Sequence, residues 1–251
     1  MISDVHARVE ALVEAGKDCD ALICLGDLLL YTDYVDPGNG IMGTLFGAEL
    51  TAEFTRLRTA GHFDEARALA NKKWDSLGAT KEELINQEVA KQYEEIFSVM
   101  PIPSYLTYGN VDKPEFWKDY VKPGMTVLDG EVIKIGDLKF GFVGGGLQSV
   151  YRTPYEISDE EFQSKVDALG PVDVLCSHIP PLIPEITYDV VARRFERGSQ
   201  ALLDYINKYQ PRYSLFGHVH QPLASRTRVG VTECINVGHF RSRKRPFVLD
   251  L

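Results

Sequence analysis

The sequence predicts an α/β fold of two mixed sheets carrying a helical insertion, and three observations predict it. Short apolar runs recur along the chain and stop on a polar residue at the same end: "DALICLGD", "SYLTYGN", "VDVLCSH" and "RYSLFGH". Helical patterns lie between these runs, the alternation expected of strands joined by helices. The C-terminal part then changes to alternating, Gly-punctuated stretches, "PLASRTRVGVTECINVG" and "RPFVLDL", which read as antiparallel strands finishing a second sheet.

Taken in order, "ARVEALVEAG" (Ala7 to Gly16) has apolar residues at helical spacing and a Gly near its end, so a helix is expected. Asp20 to Asp27 follows as a short buried strand closed by Gly-Asp. From Asp27 to Gly109 the chain runs 82 positions (109 − 27), far longer than an ordinary crossover. This stretch opens with a Gly/Pro-rich loop, "DPGNGIMGTLFG". Three helical patterns follow: "ELTAEFTRLRTAG", "FDEARALANKKWDSLG" and "TKEELINQEVAKQYEEIFSVM". Thr80 and Glu83 occupy the N-cap and N3 positions of a capping box. Residues 36–100 are therefore expected to form a helical insertion within a single domain spanning 1–251. A lid, a homodimer surface and a core-extending bundle are its three possible roles. Further on, "TVLDGEVIKIGDLKFGFVGGG" reads as successive strands with Asp-Gly and Gly-Asp turns. Helices are expected over Asp159 to Leu169 and Ser199 to Tyr209.

Composition narrows the function classes. The 251 residues are 44% hydrophobic and 25% charged, enough to bury one large core. A formal net charge of −9 argues against wrapping a polyanion, so no polymeric nucleic acid partner is expected. The one basic run, Arg241 to Arg245, reads as a solvated loop before the last strand. No apolar stretch approaches the ~18–20 residues that span a bilayer. Without a basic segment leading into an apolar one at the N-terminus, a cytoplasmic location is expected and no membrane partner. Cys19, Cys24, Cys176 and Cys234 show no CxxC spacing, and three of them sit in apolar runs as buried free thiols would.

The chemistry gathers at the strand ends, where ligand sites of open α/β sheets lie. Asp4 and His6 stand in "SDVHA", Asp27 in "LGD", Asn110 in "YGN", His178 in "CSHIPP", and His218 and His220 in "FGHVHQP". Alternation in D-x-H and H-x-H would put both side chains on the same side of an extended backbone. Alone, an H-x-H is usually a pair of surface histidines and a Gly-Asp is usually a turn. Together, the order D-x-H, G-D, G-N-x-D, H, G-H-x-H is not a chance arrangement. On these motifs, which run from Asp4 to His220, the chain resembles the calcineurin-like metallophosphoesterase superfamily.

That resemblance implies a four-layer α/β/β/α sandwich with a di-metal centre between loops at one sheet edge. It implies that Asp4, His6 and His220 bind one metal, that Asn110, His178 and His218 bind the other, and that Asp27 bridges the two. Asp27, Asn110, Asp112 and His178 would form the catalytic group. Mixed histidine and carboxylate ligands suit two divalent transition metal ions, with manganese the first choice and iron, zinc or nickel the alternatives. Two cations about 3.5–4 Å apart can clamp phosphoryl oxygens and activate a water between them. A metal-bridging hydroxide attacking phosphorus in line is the expected nucleophile, with no covalent phospho-enzyme.

Two departures from the family shape the expected activity. Many members carry His after the Asn, paired with the following acid, to protonate the leaving oxygen or hold the phosphoryl group. Here that position is Val111, and Asp112 stands without its partner. A phosphate monoester dianion needs such a donor most, whereas a diester carries one negative charge fewer. The expectation is a phosphodiesterase acting on a small soluble phosphate ester, with weaker monoesterase activity. A phosphomonoesterase or protein phosphatase using His239, His62 or water as donor is the alternative enzyme. A partner-binding scaffold on the same fold is the non-enzyme reading, against which the complete ligand set speaks. Arg152 in "GGGLQSVYRTPY", Arg8 and His239 in "NVGHF" are candidate substrate contacts, Arg152 through a bidentate guanidinium. The second departure is that only Met1-Ile2-Ser3 precede Asp4, where family members have a fuller strand. A frayed stub, with weaker metal occupancy on the Asp4 side, is expected.

Overall fold

Why the apolar runs are continuous becomes clear in the computed structural model, which describes residues 1–250. Leu138–Val143, Val174–Ser177, Tyr213–Phe216 and Thr232–Asn236 are parallel neighbours in a six-stranded sheet. Glu131–Ile135 and Arg226–Val229 add antiparallel edges, each through a tight turn, so this sheet is mixed. The predicted Gly-Asp turn lies at Gly136-Asp137, with Gly136 at φ +58°. Leu22–Cys24, Ser104–Leu106 and Met125–Val127 form a second, three-stranded sheet. It is parallel throughout, and the C-terminal antiparallel strands join the larger sheet instead.

The strand period of two sends neighbouring residues to opposite cores. Val174, Cys176, Leu215 and Ile235 meet Ile23 of the smaller sheet and Leu25 just beyond it. Leu175, Phe216 and Cys234 face the other way, against Phe162, Leu202 and Ile206 of the helices Asp159–Ala168 and Gln200–Tyr209. Burying each such side chain contributes roughly 1.5–3 kcal/mol. Both helices start on a serine cap: Ser158 Oγ accepts from Glu161 N, and Ser199 Oγ from Leu202 N. Cys24, Cys176 and Cys234 are buried free thiols.

Three local expectations are corrected. The helix expected over Ala7–Gly16 shrinks to Val9–Leu12, because His6 and Ala7 take left-handed backbone angles (φ +43° and +56°). The last strand, "RPFVLDL", does not form within its described residues; Phe247 and Met1 exchange backbone hydrogen bonds instead. The basic run is no free loop either. Phe240–Arg243 is a helical turn, and Arg241 Nη1 donates to the His6 carbonyl at 2.6 Å.

Two compact units divide the chain: Met1–Leu28 with Ile96–Leu251, and Leu29–Glu95. Leu30 belongs to the second unit because its backbone exchanges two hydrogen bonds with the Gln92 amide (2.8 and 3.1 Å). That unit contains the helices Gly40–Phe46, Ala48–Thr59 and Phe63–Trp74, and most of Lys81–Val99. The first of these occupies half of what reads as loop in the sequence. The capping box holds: Glu83 N donates to Thr80 Oγ1 (3.2 Å) and Thr80 N to Glu83 Oε2 (3.0 Å). The unit has its own small core of Met42, Phe46 and Ala70, with the Phe46 and Trp74 rings edge to face at 4.6 Å. No helix among the described residues is long and apolar enough to cross a membrane.

Candidate metal centre

Loops leaving the carboxyl ends of strands in both sheets converge on one place, and small residues let them do so. A Cβ on Gly109 would strike Asp27, and one on Gly217 would strike Ser3 and Asp4. This is the physical content of Gly in G-D, G-N and G-H: the neighbouring ligand loop passes where a side chain would be. The N-terminal stretch is zippered onto the first of these loops. Ile2 bridges Cys24, Asp4 N donates to Gly26 O (3.0 Å) and His6 N to Asp27 O (2.9 Å). Asp4 is 1% exposed, so the expected frayed stub is instead a paired, buried one.

The ligands do not converge by strand alternation, as the D-x-H and H-x-H spacing suggests. Asp4, His6, Asp27 and His218 all adopt left-handed backbone angles, with φ of +57°, +43°, +55° and +66°. Non-glycine residues pay for such angles, and they persist where the surrounding hydrogen bonds over-determine them. Here His218 N donates to Asp4 Oδ2 at 3.0 Å, tying two of the strained residues together.

Two clusters result, and Asp27 joins them. On one side, Asn110 Oδ1 lies 2.9 Å from His178 Nε2 and 2.9 Å from His218 Nδ1. The Asn110 amide is oriented by donating Nδ2–H to Thr153 Oγ1 (3.0 Å), which in turn donates to Glu156 Oε1 (2.8 Å). His178 Nδ1 donates to the Leu25 carbonyl (2.8 Å), aiming Nε2 at the centre. On the other side, His6 Nε2 and His220 Nε2 are 3.3 Å apart, and His220 Nε2 is 3.5 Å from Asp4 Oδ1. Asp27 presents Oδ1 to His178 at 3.4 Å and Oδ2 to His6 at 3.9 Å, one oxygen to each cluster.

The remaining candidates fall outside this ring of donors, or support it. Asp112 is fully buried and accepts the backbone N–H groups of Asp27, Leu28 and Gly109 at 2.8–2.9 Å. Its carboxylate shapes the crossing of two ligand loops. Val111 contributes its backbone, donating N–H to Asp27 Oδ1 at 2.9 Å. Arg8 Nε donates to the Arg241 carbonyl (3.4 Å), and Arg152 is exposed on the residue before Thr153. His62 pairs with Glu65 inside the Leu29–Glu95 unit. His239 stacks on His220 with ring centroids 3.8 Å apart and planes 2° from parallel. Beside Asn110 and His218 lies a cavity of about 40 Å³, lined also by Ser149, Tyr151 and Arg197. The sequence gives no signal for Thr153 and Glu156, because they touch Asn110 through hydrogen bonds rather than through a motif.

Charge is distributed as a cation site requires. Burial disfavours ionised Asp4, yet His220, 3.5 Å away, and the other nearby imidazoles hold its carboxyl well below the usual range. Asp27 is likewise lowered against burial by His178 and His6. Burial disfavours charged His178 too, but Asp27 and Asp4 push its pKa up to about 9, and Asp4 raises that of His220. Burial and the His178 charge lower His218; burial and His220 push His239 down to about 3. Asp112 is raised by burial and by the Asp27 charge, despite its backbone donors. Without metal, a proton on His178 supplies positive charge beside the two buried carboxylates.

The donors fit divalent transition ions. Asp4 Oδ1 is buried with no hydrogen bond, although its partner oxygen has one, so it keeps a free lone pair facing imidazole nitrogens. Imidazole, carboxylate and amide oxygen together suit manganese, iron, zinc or nickel. Asp4, Asp27 and His178 bring one ligand atom each within 4.8 Å of one another, as do His6, His220 and His239.

Comparison with known proteins bears on the fold and the family. A solved crystal structure superposes with a TM-score of 0.57 over 95% of this chain and 89% of the other, at 18% sequence identity, a likeness of fold. No curated protein matches the sequence. The family described as calcineurin-like phosphoesterase matches residues 1–222, which hold all seven donors. The chain belongs to the calcineurin-like phosphoesterases, a family of dimetal-dependent enzymes that hydrolyse phosphoesters.

Proposed function

We propose that this phosphoesterase is a phosphodiesterase of small soluble esters, working in the cytoplasm and preferring manganese. One observation carries the reading. The residue after Asn110 presents an isopropyl group, and both oxygens of the next residue, Asp112, are taken by backbone N–H groups. Neither of the two residues that follow Asn110 therefore offers a proton donor. A diester asks least of such a site, because its single negative charge resists an incoming anion less than a dianion does.

When bound, the two cations would polarise the phosphoryl oxygens and supply an activated water. The chain's own residues do the rest. Asp27 holds the two clusters in register, Thr153 keeps the Asn110 carbonyl oxygen facing inward, and the Leu25 carbonyl fixes His178. The cavity beside His218 is far smaller than the roughly 300–1,000 Å³ of pockets that enclose a drug-sized ligand, so the ester substituents must extend over the open side. His220, with 37% of its side chain exposed, marks that side.

The test is turnover of bis-p-nitrophenyl phosphate and p-nitrophenyl phosphate by purified protein with Mn²⁺, beside Asp27→Ala. Faster diester cleavage, abolished in Asp27→Ala, is expected. Preference for the monoester would overturn the diesterase reading, and no metal-dependent turnover of either would favour the scaffold. Val111→His should raise monoesterase activity by at least about tenfold, since general acids are worth roughly 10²–10⁴.

A further inference from the structure

Three imidazoles, His6, His220 and His239, bring nitrogens within 4.8 Å of one another, which at first suggests a three-histidine metal site. Ring geometry rules that out for the last two as a pair. An imidazole nitrogen donates its lone pair in the plane of its ring. The His220 and His239 planes are 2° from parallel and stacked at 3.8 Å, so their in-plane lone pairs cannot meet on one ion. His220 already faces Asp4 Oδ1 and His6 Nε2. His239 is thus left behind its neighbour, packed flat on it.

We propose that His239 is a positioning residue, which holds the His220 imidazole in its metal-binding orientation by stacking on it. The inference rests on the assignment of His220 as a ligand. His220 needs such a hold: its side chain is the open one of the Asp4 cluster, 37% exposed against 10% for His6 and 1% for Asp4. Among the described residues, no hydrogen bond to backbone fixes its ring in the way that the Leu25 carbonyl fixes His178. The backing ring is itself anchored. His239 Nδ1 bonds Ser242 Oγ at 2.8 Å. The turn that follows is docked on the N-terminal stretch, with Phe240 N donating to Ser3 O (3.0 Å) and Arg241 N to Asp4 O (3.1 Å). The turn that carries His239 is therefore bonded to the same residues that deliver Asp4. Ligand and support share one frame. His6 meets both rings edge-on, at 69° to each, so the stack also forms one wall of the cluster.

What the stack requires is a flat ring, not a nitrogen, and this separates the proposal from a ligand or proton-donor role. Mn²⁺ binding to the whole protein, measured by calorimetry with metal counting after dialysis, reads it directly. His239→Ala should weaken the Asp4-side metal about 10–100-fold, the range found for residues that orient ligands, while the Asn110-side metal stays bound. His239→Phe should restore affinity to within about threefold of the parent, and Ser242→Ala should fall between. Diester turnover at saturating Mn²⁺ should recover in His239→Phe. If Phe is as damaging as Ala, a nitrogen is needed and the proposal is overturned. If Ala binds metal like the parent, it is also overturned. Circular dichroism of metal-free variants identifies an Ala variant that has simply lost its fold, in which case Phe against the parent decides. His220→Ala is the reference: if it leaves metal binding intact, the ligand assignment itself fails, and the proposal with it.

Discussion

The two metal clusters are built from similar donors but on different foundations. On the Asn110 side two of the three donors are held by a second bond: His178 by the Leu25 carbonyl, Asn110 by Thr153. Its residues follow strands in the middle of two sheets, and His178 is fully buried. On the Asp4 side two donors, Asp4 and His6, sit on a short paired stretch with left-handed backbone, and the third, His220, is open to solvent. Support there comes from the C-terminal turn Phe240–Arg243. The contrast teaches that one metal would enter a preformed seat, while the other depends on contacts made late in the chain.

The contrast can be broken most severely at the residue common to both clusters. Asp27→Ala should cost more than the 10–100-fold of a supporting residue in turnover, and metal counting should show fewer than two ions retained. Next is Asp112→Ala, which strands three buried N–H groups beneath the crossing loops. At about 1 kcal/mol or more for each, a loss of at least ~3 kcal/mol is expected, or roughly 6–12 °C in Tm. An unchanged melting curve would show that Asp112 does not brace the centre.

pH sharpens the difference further. Because the His178 pKa lies near 9, the Asn110 seat must release a proton to take a metal. Its apparent affinity should rise about tenfold per pH unit from pH 6.5 and level off near pH 9. In metal-free protein the sign is opposite. The raised His178 pKa gives stability that is full below about pH 6.5 and lost as pH rises through 9. A pH-independent Kd on this side would sink the assignment of His178. The smallest effect is expected from Thr153→Val, which should weaken the Asn110-side metal about tenfold and leave the Asp4 side unchanged. Equal loss at both would mean the seats are not independently supported.

How much of this is legible in the sequence depends on what each residue responds to. The seven candidate donors are legible because metal chemistry asks for such residue types at such spacing, as in D-x-H and G-H-x-H. The Thr80–Glu83 cap and the helices at Asp159 and Ser199 are legible because their signals are local. The Ala7–Gly16 helix fails because its spacing is right but the site bends His6 and Ala7 out of helical angles. The helix Gly40–Phe46 is hidden by glycines that suggest loop. Arg241 is misread from its basic neighbours, since its partner is a backbone carbonyl 235 residues away. Thr153 is set by contacts across the fold, to which composition and periodicity are blind, and His239, read from the sequence as a substrate contact, lies flat on His220.

Val111 has a consequence beyond the missing acid. What the centre takes from this residue is its amide hydrogen, given to Asp27 at 2.9 Å, and any residue except proline carries one. The isopropyl group is therefore an adjustable part mounted on a fixed fitting. Exchanging it leaves the bridging carboxylate's bond in place, so selection, or an engineer, can vary which leaving groups are served without dismantling the machinery that holds the metals.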